Sequence, residues 1–292
     1  PPRGRHSQTM SPPTRRTPRM PPTPTPHPGP GLVAPLLLAL AGLAAGAGCE
    51  NVPVLESFTT PSPSEAARAA FNVYDADERR QSIALLASAP FGGEKPYLRT
   101  YRLLIDDPDP TVRAICARAL GRHGSVQDAE ALIRLLDDEV PFVRWEAARA
   151  LQRLHEPTAA QPLMRRLTND DDPEVRTAAA HALGQYAQRR VFDALVGALT
   201  DRDFAVAHAA NESLTTLTGQ ELPPAPAPWL DWAKAHRDRL FADGQPYTYQ
   251  PYPEPPAWYE RLQFWRDFPA PPPKPPRGLD VASDNEPAPD NG

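Results

Sequence analysis

Two cysteines, seven histidines and 36 carboxylates are the residues of this 292-residue chain that could do nucleophilic, metal or acid–base chemistry. Their spacing argues against all three. Cys49 and Cys116 form neither a CxxC pair nor part of a Cys/His cluster of zinc spacing. No GxSxG, HExxH or glycine-rich phosphate loop occurs. Carboxylates crowd at Asp106-Asp107, Asp137-Asp138 and Asp170–Asp172, but this crowding recurs at turns, where Asp accepts from the free N–H groups of a helix start. Cys116 falls in an apolar column and reads as core. The sequence therefore predicts no catalytic residues, no cofactor and no metal. Recognition chemistry is better placed: Trp145, Arg149, Arg118, His181 and His208 form a candidate partner-binding stripe of types enriched at interfaces.

The elements that position these residues follow from a motif that returns four times: Val112-Arg113, Val143-Arg144, Val175-Arg176 and Val206-Ala207. A fixed period in the range of about 20–50 residues marks a solenoid, in which each unit buries its apolar face only by stacking on the next. The columns agree. Seven residues after the arginine position stand Leu120, Leu151, Leu183 and Leu214; three after it stand Cys116, Ala147, Ala179 and Ala210. Pro110, Pro141 and Pro173 suit a first helical turn, and Asp109, Asp172 and Asp203 suit N-caps. Gly121 and Gly184 are expected to end two helices in a left-handed C-cap. A further helix precedes each of these, over 96–105, 126–136, 158–167 and 190–199. The stripe residues lie one or five positions after the arginine column and so face away from the packed side.

The segments DPDPTVRAICARALG, EVPFVRWEAARALQ, DDPEVRTAAAHALG and DRDFAVAHAANESLT together resemble HEAT repeats, most closely the short bacterial HEAT-like repeats also found in phycobilisome bilin lyases. The resemblance covers residues 99–219. It implies an all-α, right-handed α-solenoid of four to five helical hairpins, with the second helices lining a concave, protein-binding side. It also implies a hydrogen-bonded ladder between neighbouring repeats, which gives Asp107, Arg113, Asp138, Arg144, Asp170 and Arg176 structural roles and breaks at Ala207. A bilin-lyase-like enzyme or enzyme subunit is the alternative it allows.

The ends differ in kind. Only six of the 40 prolines fall within the repeats, so the flanks read as linker or disorder. The formal charge of −5 understates the acidity of the rest, because residues 1–49 hold five arginines and no acid. An acidic body argues against non-specific nucleic-acid binding. A basic start, the uncharged run LVAPLLLALAGLAAGAG and then Cys49 form a secretory layout. Its end resembles a bacterial lipoprotein signal, which implies that Cys49 is acylated and anchors an exported protein to a membrane. Cleavage after Ala47 into a soluble secreted form, and an uncleaved anchor, stay open. The predicted organisation is a leader over 1–49, a linker over 50–62, the solenoid with degenerate capping segments over 63–241, and a Pro/aromatic tail over 242–292. Ser64–Ala87 reads as a degenerate capping repeat, with Arg79 and Leu86 in the arginine and leucine columns. Trp229, Trp232, Ala233, His236 and Leu240 form a stripe that caps the far end, and Trp258–Phe268 could form a short amphipathic helix.

Overall fold

The computed structural model describes residues 61–252 and 270–279. The leader, Cys49, most of the linker and Trp258–Phe268 lie outside them. The described helices are α1 (Pro63–Ala69), α2 (Ala76–Ser88), α3 (Lys95–Leu103), α4 (Pro110–His123), α5 (Ala129–Leu135), α6 (Pro141–Leu151), α7 (Ala160–Asn169), α8 (Pro173–Leu183), α9 (Arg189–Ala198), α10 (Phe204–Thr218) and α11 (Pro226–Ala235). They stack as five successive hairpins, from α1–α2 to α9–α10, closed by α11. This is an α-solenoid of the HEAT type.

Local chemistry sets the helix starts. Asp109 accepts from Thr111 N–H at 2.8 Å, Asp172 from Glu174 N–H at 2.8 Å and Asp203 from Ala205 N–H at 2.9 Å, while Pro110, Pro141 and Pro173 fill first-turn positions that need no donor. Ser64–Ala87, expected to be a degenerate capping repeat, falls within a hairpin of two helices. Ser62 and Glu65 make a capping box for α1, and Asp75 starts α2 by accepting from Glu78 N–H at 3.0 Å.

The second helices α2, α4, α6, α8 and α10 approach one another more closely than the first helices do. Their facing columns are small: Cys116, Ala147, Ala179 and Ala210 are fully buried, as are the valine and leucine columns that fill the layer. A layer spaced by alanine is shorter than one spaced by leucine, so the second helices form the inner side. Gly121 belongs to this packing rather than to a helix end. α4 runs through it to His123, and a Cβ there would stand 2.8 Å from both Cα and Cβ of Ala150. Gly184 is likewise right-handed, at φ −59°. The left-handed cap is Gly219, which ends α10 at φ 70°.

Ion pairs tie each hairpin to the next. Arg79 donates to Asp107 at 3.0 and 2.8 Å, Arg113 to Asp138 at 2.7 and 3.0 Å, Arg144 to Asp170 at 2.7 Å twice, and Arg176 to Asp201 at 2.9 Å twice. Each fork is bidentate, the geometry guanidinium fits best. The third nitrogen of Arg113, Arg144 and Arg176 turns back to the carbonyls of its own preceding turn. Each aspartate also accepts from the N–H two residues on. One Arg–Asp pair thus fixes two turns and the spacing between two repeats. At the far end Trp229 is fully buried against Phe192, with its indole N–H on Asn211 at 3.2 Å, and Ala233 and Leu240 continue the buried stripe; Trp232 and His236 stack on each other at its edge.

Candidate functional site

The five stripe residues come from four consecutive inner helices: Arg118 from α4, Trp145 and Arg149 from α6, His181 from α8 and His208 from α10. One helical turn sets Trp145 and Arg149 on the same face, and the Arg149 guanidinium lies over the indole at 4.5 Å from its centroid. Both remain partly accessible. Arg118 is already engaged: its Nε donates at 2.8 Å to the buried Glu146 on α6, the next inner helix, so it joins repeats as well as facing outward. His181 and His208 flank Glu212, each 3.9 Å from one of its oxygens, and His208 leans on Phe204. Among the described residues no group of His, Cys, Asp and Glu is arranged to hold a metal. Cys116 is enclosed in the core, where burial pushes its thiol well above the usual range.

The inner face is partly covered by the chain itself. After α11 the backbone turns back, and Gln245 N–H donates to Thr216 O at 2.8 Å. The Tyr247 hydroxyl donates to the carbonyl of His181 at 2.7 Å and accepts from Gln152 at 2.9 Å. Tyr252 lays its ring over the Arg153 guanidinium at 3.9 Å, with Arg149 at 5.2 Å and Arg118 at 5.7 Å, and its hydroxyl reaches Glu146 at 3.4 Å. Burial raises the pKa of both phenols and lowers that of Arg153. A second tail segment joins the first. Tyr249 and Lys274 exchange backbone hydrogen bonds at 2.8 and 3.0 Å; Arg277 N–H donates to Arg153 O at 3.0 Å and His155 N–H to Arg277 O at 2.7 Å. The Arg277 guanidinium then donates to the carbonyls of Gly121 and Arg122 at 2.7 and 3.0 Å.

The candidate face is therefore composite. The predicted stripe residues Trp145, Arg149, Arg118, His181 and His208 lie on the inner helices, and the structure sets Tyr247, Tyr249, Tyr252, Arg153 and Arg277 beside them, which sequence reasoning did not place there. A usable signal was present. Tyr247 and Tyr249 alternate with period two, as in an extended segment that packs one face, and the prolines around them exclude helix.

The family model of HEAT repeats matches residues 100–184 and 162–230. No curated protein matches the chain. Among solved structures, the chain is similar to an engineered protein at 23% identity, covering 53% of this chain and 79% of that one with a TM-score of 0.42. It is similar to a designed armadillo repeat protein in complex with a (KR)4 peptide at 18% identity, covering 63% and 95% with a TM-score of 0.43. It is also similar to the complex of CpcE and CpcF of phycocyanin lyase from Nostoc sp., at 20% identity, 58% and 82% coverage and a TM-score of 0.38. The two family matches overlap and run from within α3 to within α11, over the helices whose Val, Ala, Leu, Asp and Arg columns repeat, so this part of the chain is a HEAT-repeat array.

Proposed function

We propose that the chain is a non-enzymatic protein-interaction scaffold of a bacterial cell envelope, held to a membrane through acylated Cys49. The partner binds the inner, second-helix face, centred on Trp145 and Arg149 and extended by His181, His208 and the ring of Tyr252. The observation that carries this reading is Arg149 seated on the Trp145 indole at 4.5 Å. A planar cation and a large aromatic are ordered on a rigid helix before any partner arrives, which reduces the entropy lost on association. The non-enzymatic part rests on what the chemically able groups already do: the ladder carboxylates are paired with arginines and Cys116 is enclosed. The envelope and lipid-anchor parts rest on the basic, apolar, small-residue leader ending at Cys49.

Affinity capture from membrane extracts with the full chain tests both parts. Trp145→Ala and Arg149→Ala are each expected to weaken capture by about 30-fold, the scale of an interface hot spot of about 2 kcal/mol. Undiminished capture by both variants removes the stripe from the mechanism. Cys49→Ala is expected to abolish acylation and release the protein from membranes; an acylated, membrane-bound Cys49→Ala protein contradicts the anchor.

A further inference from the structure

A cleft of about 470 Å³ opens where the tail meets the C-terminal ends of α2 and α4 and the turn after α6. Arg122, His123, Arg153, Lys274 and Arg277 line it together with Tyr249 and Tyr252, and among the described residues no carboxylate does. Two described acids near it have other partners of their own: Glu146 holds Arg118 and meets the Tyr252 hydroxyl, and Asp128 holds Arg102 and the N–H of Ser125.

Arg153 is the informative member. It is 2% exposed, one of the largest fully enclosed side chains in the protein. Its guanidinium lies under Tyr252 at 3.9 Å and beside Tyr249 at 5.1 Å, and one Nη donates to the carbonyl of Arg149, but its Nε–H meets no acceptor. Arg277 repeats the pattern, with both Nη groups on α4 carbonyls and its Nε buried without a partner. A buried cation without a counter-charge is strongly unfavourable. Arg153 and Arg277 are neighbours, joined by the bond of Arg277 N–H to Arg153 O at 3.0 Å, and with Arg122 and Lys274 they give one cleft a cluster of cations that an anion would satisfy. His123 adds no charge of its own: its Nε2 lies 2.7 Å from the carbonyl of Ala87, and burial lowers its pKa.

We propose that this cleft binds a phosphoryl group, carried by a soluble organophosphate or by a lipid headgroup. A doubly charged tetrahedral anion can meet Arg153, Arg277, Lys274 and Arg122 from several directions, whereas a single carboxylate offers one charge in one plane. The volume falls in the range of about 300–1,000 Å³ typical of small-ligand sites, and the tyrosine rings supply apolar walls. The site needs the docked tail, because Lys274 and Arg277 arrive only with it.

The test uses the full chain. Pyrophosphate is titrated by calorimetry at low salt, and in parallel the protein is sedimented with phosphatidylcholine vesicles with and without phosphatidate. Binding to pyrophosphate alone assigns a soluble organophosphate, and binding to phosphatidate vesicles alone assigns a lipid headgroup; either supports the site. Lys274→Gln and Arg122→Gln should each weaken that binding about tenfold, as the loss of one charge-assisted contact does, and Arg153→Gln should abolish it. Lys274 is exposed, so its variant remains decisive should Arg153→Gln fail to fold. Arg190→Gln, on α9 and outside the cleft, should leave affinity unchanged. Failure of both probes, unchanged affinity in Lys274→Gln and Arg122→Gln, or an equal loss in Arg190→Gln overturns the proposal.

Discussion

Arg144→Ala is the sharpest test of whether the ladder holds the array together. The substitution removes two 2.7 Å bonds to Asp170 and the bonds of Nη1 to the carbonyls of Asp138 and Glu139 at 2.9 and 3.2 Å. It leaves the Asp170 carboxylate with no exposed side-chain surface and only two weaker partners, Arg166 at 3.3 Å and the N–H of Asp172 at 3.1 Å. Removing one partner of a buried pair costs about 3–5 kcal/mol because the other charge is stranded. Arg166 offsets part of this, so the expected loss is at the lower end, about 3 kcal/mol. For an array of this size that lowers the melting temperature by about 6–12 °C. Circular dichroism during urea unfolding measures the total. Hydrogen exchange locates it, because repeat arrays couple mainly through neighbours and protection should fail first at the α6–α8 interface. Adding Asp170→Asn to Arg144→Ala should restore part of the loss, since the stranded charge is then gone while the turn can still be capped. A loss below about 1 kcal/mol, the scale of a surface ion pair, or a double variant whose losses simply add, would refute the ladder as a stabilising device.

Three further outcomes follow from packing and charge. Gly121→Ala forces a methyl to within 2.8 Å of Ala150 and should cost about 1–3 kcal/mol by overpacking; Ala150→Gly in the same chain should recover some of it, measured by urea unfolding. Burial alone would raise the carboxyls of Asp138, Asp170 and Asp201, but their arginine bonds prevail and hold all three below the ordinary value of 3.8. The unfolded chain therefore binds protons first as pH falls. Stability should fall first through the histidine range, because burial also lowers the pKa of His123 and His181, and drop again below about pH 4 as the carboxylates protonate; a profile without that second drop would count against this origin. Tyr247→Phe deletes the bonds to His181 O and from Gln152 and should cost about 1–2 kcal/mol, with residues 247–252 becoming the first site of limited proteolysis.

The array was legible because repetition multiplies a weak signal. One Val-Arg pair means little, whereas three and a Val-Ala copy at nearly constant spacing, with Cys or Ala at three and leucine at seven, fix the helices, their buried faces and their order. The glycines misled because a Gly near a helix end fits two physical demands, a left-handed turn or a missing Cβ, and only the neighbour Ala150 distinguishes them. The tail was less legible. Its contacts pair Tyr247 with His181 and Arg277 with Gly121 across long stretches of chain. No local periodicity records an extended segment that borrows its order from a distant helix face. The enclosure of Arg153 under Tyr252 was hidden for the same reason.

The ladder also explains where the array stops. Each arginine donates forward to the aspartate of the next hairpin, so a terminal repeat of ordinary sequence would strand one charge at each end. The first hairpin has Arg79 but carries Val73, 77% exposed, where the other repeats carry aspartate. The last has Asp201, paired with Arg176, but carries Ala207 where the others carry arginine. Each end thus lacks the half of the pair that would have no partner, which avoids the several kcal/mol that an unpaired buried ion costs. Beyond Ala207 the bonding type changes: α11 docks by the Trp229 indole on Asn211 and Phe192 rather than by an ion pair. Ala207→Arg should therefore gain nothing, because α11 presents no aspartate at the matching place, whereas an inserted copy of residues 170–200 between Thr200 and Asp201 should extend the ladder by one complete rung. If unfolding shows that this longer chain has gained stability at the new interface, the pairing rule alone sets the repeat number; if the insert unfolds separately from its neighbours, matching columns do not suffice to join repeats.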